Sequence, residues 1–195
     1  MANPEHIAQL DGFDRFTVKL YRIGLSICAL ALMGSGALRL FEGTFSSLFF
    51  NDAPPWYTPF DPIIALGVFI AVSNIHIYDK RFRWFFSAIT WAGAAALIAT
   101  NFYPPIASLI GHLGLGLIFI TISAIALKER LCFKIVGLRA VPLMLAAAIF
   151  LMFGDKQPLA GGTLLLSGAV LAFLAVQKIR MPHHFDIGDK KAYQN

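Results

Sequence analysis

The sequence predicts an all-α integral membrane protein that crosses a bilayer six times, with both termini in the cytoplasm and a short interfacial helix in the first outer loop. Three observations predict it. Hydrophobic residues make up 57% of the chain and charged residues 14%, where a soluble domain carries about 25% charge. Apolar runs centred near Cys28, Phe69, Ala95, Leu117, Ala147 and Leu171 follow one another along the 195 residues. Finally, Lys and Arg gather in alternate connections. Place the N-terminus and every second connection on one side, and that side holds 14 of the 16 basic residues; only Arg39 and Lys156 fall on the other. Basic residues beside membrane spans stay preferentially in the cytoplasm, and this asymmetry orients the chain.

The same division gives the inner side 14 basic and 7 acidic residues, a net +7, and the outer side 2 basic and 4 acidic, a net −2. No basic stripe interleaves with aromatics on a soluble element, so nucleic acid is not an expected partner. The bilayer is, because basic helix ends meet anionic headgroups. Cys28 and Cys132 form neither a metal-ligand spacing nor a disulfide framework. Residues 1–17 hold Glu5, Asp11 and Asp14 but no apolar core beside a basic start. The first span is therefore expected to direct insertion itself.

A cytoplasmic lead-in (1–17) precedes a membrane domain expected over 18–177, with a cytoplasmic tail over 178–195. Span one is expected at about 20–38, with Arg22 and Arg39 reaching to opposite surfaces. In the outer loop, Phe41, Phe45, Leu48 and Phe49 recur at helical spacing, the pattern of a helix lying along the membrane surface over 41–50. Pro54 and Pro55 break it, and Glu42, Asp52 and Asp61 are read as solvated loop carboxylates. Span two is expected at about 62–78, ending in Asp79-Lys80-Arg81-Phe82-Arg83. Residues 84–127 contain no formal charge over 44 positions. As helix that is about 66 Å, twice a bilayer core of about 30 Å. The stretch must therefore be two spans, 84–101 and 106–127, folded back at Asn101-Phe102-Tyr103-Pro104-Pro105. Span five is expected at 135–153, carrying Arg139 in its opening turns, and span six at 158–176. Small-residue stretches in spans one, four and six permit close packing or a homo-oligomer. No internal repeat is expected.

Polar residues within spans are the default functional candidates in a membrane protein. Two candidate sites emerge. Arg22, His76, Tyr78, Lys128, Glu129, Cys132, Arg139, Asp186 and Asp189 all map to the cytoplasmic rim. There they form a network tying helix ends together or a shallow surface for a protein partner. His112 and Asn74 form a candidate intramembrane polar site. Imidazole is a common ligand of haem and metals, yet His76 and His112 are expected at depths some 15–20 Å apart in a core of about 30 Å. They cannot share one ion, and no cofactor is expected.

Tyr21-Arg22-Ile23-Gly24-Leu25 entering span one, His76-Ile77-Tyr78 closing span two, Lys128-Glu129 before Cys132-Phe133, and Asp186-Ile187-Gly188-Asp189-Lys190 after the last span form an ordered set. In it the chain resembles the bacterial integral membrane family known as domain of unknown function 2301, from about Tyr21 to Lys190. The resemblance implies a small multi-span bacterial inner-membrane protein and brings no catalytic residues with it. The leading functional reading is a non-enzymatic scaffold or partner-binding subunit working through its cytoplasmic rim. The competing readings are a small-solute or proton transporter centred on His112, and a haem-bearing redox protein, which a Soret band would reveal.

Overall fold

Two helices begin at side-chain caps and three at a proline in the first turn. The computed structural model describes residues 10–41, 57–75 and 79–187, and among these every regular element is helical. Helix α1 (Gly12–Leu40) opens with a reciprocal capping box: Asp14 N–H donates to Asp11 Oδ1 at 2.8 Å, and Asp11 N–H to Asp14 Oδ2 at 3.1 Å. Helix α2 (Asp61–Ser73) has Pro62 in its first turn, where a missing N–H costs nothing. Helix α3 (Lys80–Ala99) is capped by the Asp79 carboxylate, which accepts from Arg81 N–H at 2.8 Å. A 3-10 turn, Pro104–Ile106, leads into α4 (Ala107–Cys132). Then come α5 (Val141–Phe153), α6 (Gln157–Arg180) and the single-turn α7 (His184–Ile187).

Several expected boundaries move. Residues 12–17, expected in the polar lead-in, are already helix and run unbroken into span one. Span five was expected from residue 135, but its helix starts at Val141. Gly137 sits at φ 104°, outside helical space, and Pro142 favours a helix start beside it. Arg139 is consequently an exposed turn residue that precedes α5. Helix α2 likewise stops at Ser73, where Asn74 Nδ2 donates back to the Ile70 carbonyl at 2.8 Å and closes the end. The tail does not simply run into solvent: α6 extends to Arg180, and Asp186 and Ile187 are buried against the bundle. The interfacial helix expected over 41–50 lies outside the described residues beyond Phe41.

Four helices are long and apolar enough to cross a membrane: α1, α3, Pro104–Cys132 and α6. Helices α2 and α5 have 13 residues each, about 20 Å of helix. The six main helices pack in chain order, each on the next, and α6 closes the ring on α1. The shared core includes Leu25 and Leu32 of α1, Val68 of α2, Ile118 of α4, Leu145 of α5 and Leu171 of α6. Helix α3 is the outlier. It buries only Thr90 and Gly93, and it exposes Trp84, Phe85, Trp91 and Ile98, a surface suited to acyl chains.

Close crossings explain the small residues. A Cβ on Gly36 would stand 2.5 Å from Leu165 N and 2.7 Å from the Gly161 carbonyl; one on Gly161 would stand 2.5 Å from Leu40 N. Gly93 and Gly114 make a similar contact between α3 and α4. Without a hydrophobic drive in lipid, such backbone approach is a main source of helix affinity. Gly36→Ala is expected to cost about 1–3 kcal/mol, read as a lower unfolding temperature in detergent. Gly162→Ala is the control: a Cβ there meets nothing within 4 Å.

Candidate functional site

Two buried ionic networks sit on α1. The first joins α1, α4, α6 and the segment after α6. Tyr21 Oη donates to Glu129 Oε1 at 2.6 Å, and Lys178 Nζ lies 2.9 Å from Glu129 Oε2. Lys178 also pairs with Asp186, whose Oδ2 accepts from Arg22 Nε at 2.8 Å. Arg22 spends its remaining donors on the Met181 carbonyl at 2.7 Å and the Pro182 carbonyl at 3.1 Å. Lys128 adds a second cation 3.2 Å from Glu129 Oε1. The ammonium groups of Lys128 and Lys178 lie 5.0 and 5.1 Å from the Tyr21 ring centre, near enough for cation–π attraction. Each buried charge thus faces an opposite charge, the condition for keeping it out of water.

The second network joins α1, α2 and α6 at the other end. Arg39 Nη2 meets Asp61 Oδ2 at 2.8 Å, and Arg39 Nη1 donates to Gln157 Oε1 at 2.8 Å. Asp61 also accepts from Thr58 N–H at 2.8 Å, Thr58 Oγ1 at 2.7 Å and Ser35 Oγ at 2.9 Å. Two expectations are corrected here. Asp61 is not a solvated loop carboxylate but only 1% exposed, and Arg39 does not reach for the surface but turns inward to meet it. The stretch from Arg22 to Arg39 lies on one helix and spans about 26 Å, close to the hydrocarbon thickness of about 30 Å.

Of the expected rim residues, Arg22, Lys128, Glu129 and Asp186 come together. Cys132 and Arg139 do not join them: Cys132 is exposed at the last residue of α4 and Arg139 on the link to α5. His76, Tyr78 and Asp189 lie outside the described residues. His112 and Asn74 form no shared site in the observed hydrogen bonds: Asn74 caps α2, while buried His112 packs edge-on against Phe153 with ring centres 5.0 Å apart. Thr90, Thr100, Asn101 and Ser123 all bond carbonyls of their own helices, as hydroxyl and amide side chains do in membrane helices. Thr90 also reaches Thr121 across the α3–α4 contact, at 3.0 Å. Sequence reasoning missed Tyr21, Lys178, Arg39, Asp61 and Gln157 as site residues. Outside the spans, burial and the Asp61 carboxylate raise the Tyr57 phenol. Burial, with Arg22 and Lys19 nearby, lowers the His183 imidazole.

A cavity of about 830 Å³ opens between α2, α3 and the first residues of α4. Its walls are Ala65, Leu66, Phe69, Trp91, Ala94 and Leu97, and Tyr57, Thr100 and Asn101 line its other end.

Long apolar helices joined by paired charges at both ends define an integral membrane protein of the helical, multi-pass class. The chain belongs to the family described as uncharacterized integral membrane protein, domain of unknown function 2301, whose family model matches residues 70–195. It is similar to an uncharacterized protein of Haemophilus influenzae, 33% identical over 195 residues, covering 100% of this chain and 99% of that one. No solved structure matches it.

Proposed function

We propose that this is a six-span protein of a bacterial inner membrane, with both termini in the cytoplasm, acting as a non-enzymatic scaffold that binds a protein partner at its cytoplasmic rim. The 14-to-2 charge division supports the orientation. The two short helices reach further than their helical residues, since Thr58 and Leu138 are buried before α2 and α5 begin. This favours six crossings over four.

One observation carries the partner surface. The ionic network beneath the rim is satisfied by the chain's own groups, while the end of α4 and the link after it expose Leu131 (76%) and Val136 (96%) beside exposed Lys134 and Arg139. Apolar side chains ringed by charge on a firmly held base have the anatomy of an interface centre with a polar rim. Replacing Leu131 and Val136 with serine is expected to leave membrane insertion and unfolding temperature unchanged and to abolish complementation of a deletion strain. Full complementation by that variant overturns the reading. Thiol labelling of Cys132 tests the orientation separately: an impermeant reagent should reach it in inverted vesicles and not in right-side-out ones.

A second reading, carriage of a small solute, is favoured by the position of the cavity between α2, α3 and α4. It requires flux into proteoliposomes that His112→Leu abolishes. The apolar walls suit an amphiphile better than a hydrated solute.

A further inference from the structure

We propose that the cavity between α2 and α3 binds one acyl chain of a zwitterionic phospholipid, with its headgroup held at the end lined by Tyr57, Thr100 and Asn101. This does not depend on the scaffold reading, which concerns the opposite end of the bundle.

The cavity exists because two contacts hold α3 in different directions. The Gly93–Gly114 crossing draws α3 against α4. Toward α2 the helix is held by an edge-to-face contact of Phe69 and Trp91, ring centres 4.8 Å apart. Phe69 and Trp91 each stand eight residues from the adjacent helix end, about 12 Å along the axis. From that contact to the end of the bundle the facing side chains leave a gap.

A void of this size with hydrocarbon walls forfeits dispersion contacts, and water is a poor filler without several polar partners. The volume falls within the range of about 300–1,000 Å³ typical of small-ligand sites. The polarity gradient selects an amphiphile. Ala65, Phe69 and Leu97 supply an apolar interior with Leu66 and Trp91 at its open side, and the polar groups sit together at the end where a headgroup would lie. Asn101 gives one amide N–H to the Ile98 carbonyl at 3.1 Å and is exposed, and a primary amide carries a second N–H and an acceptor oxygen besides. Charge complementarity narrows the headgroup. None of the lining residues is a cation, and in the orientation proposed above this side of the chain carries a net −2. A zwitterionic headgroup is accepted there and a strongly anionic one is disfavoured.

The test uses full-length protein with Trp91 as its single tryptophan, Trp56 and Trp84 being replaced by phenylalanine. It is reconstituted in phosphatidylethanolamine–phosphatidylcholine vesicles containing phospholipid with brominated acyl chains, which quench indole on contact. A matched protein keeping only Trp84, a lipid-facing residue outside the cavity, reports ordinary bilayer contact. Trp91 quenching is expected to saturate at a mole fraction about tenfold lower than Trp84 quenching. Ala94→Phe, which fills the cavity, should bring Trp91 to the Trp84 curve, and so should Leu66→Phe at the half-exposed mouth. Native mass spectrometry should find one zwitterionic phospholipid retained through detergent exchange and lost in both variants. Identical curves for the two tryptophans overturn the proposal. So does a Trp91 shielded more than Trp84, which would mean that the chain itself fills the space, and so does preferential retention of an anionic lipid.

Discussion

Replacing Asp61 with alanine is expected to cost about 3–5 kcal/mol of stability, the usual penalty for stranding one member of a buried ion pair. Arg39, 2% exposed, would lose the Asp61 carboxylate it meets at 2.8 Å. The hydroxyls of Ser35 and Thr58 and the Thr58 N–H would lose their common acceptor as well. The measurement is thermal or denaturant unfolding in detergent micelles. A paired substitution separates charge from packing: Arg39→Met combined with Asp61→Leu should recover most of the loss, because an apolar pair of similar volume matches a buried ion pair in stability. If the double variant is as unstable as the single one, the ion pair is not the source of the cost.

A comparable loss, again about 3–5 kcal/mol, is expected for Lys178→Met. Lys178 is the bridge of the other network, touching both Glu129 and Asp186. Its removal leaves Glu129 with only the partly exposed Lys128 as cation. Among the described residues it also leaves Asp186 with Arg22 as its one cation. Glu129→Gln added to Lys178→Met should restore part of the stability, since a neutral amide oxygen still accepts from Tyr21 without demanding a counter-charge. Hydrogen exchange should show where the damage falls. Amides of His184–Ile187 are expected to lose protection first, as that turn is tied to the bundle through Asp186.

Much of this was legible in the chain, and the division is physical. Apolar run length and the sidedness of Lys and Arg report depth, so the all-helical class and the fold-back at Pro104-Pro105 could be read directly. Rotation about each helix axis could not. In lipid the outside of a helix is as apolar as its inside, so α2 and α5 carry no polar stripe to mark the face turned inward. Arg39 and Asp61 were therefore placed on the same side and at similar depth without being recognised as partners. A usable signal existed: each is a lone charge at the edge of an apolar run, and the two are opposite in sign. Glu129 gave no such signal, because Lys128 and Arg130 flank it in the sequence. The early start of span five failed for a local reason, because hydropathy does not register the positive φ of Gly137.

The closure of α6 on α1 has a consequence for synthesis. The first helix enters the membrane bearing Arg22 and Arg39, yet Gln157, Lys178 and Asp186 are made last. Arg39 gains the Asp61 carboxylate as soon as the second helix is made, whereas Arg22 has to wait for Asp186. A nascent chain stopped before residue 157 would be an open arc missing the strand of contacts that seals it.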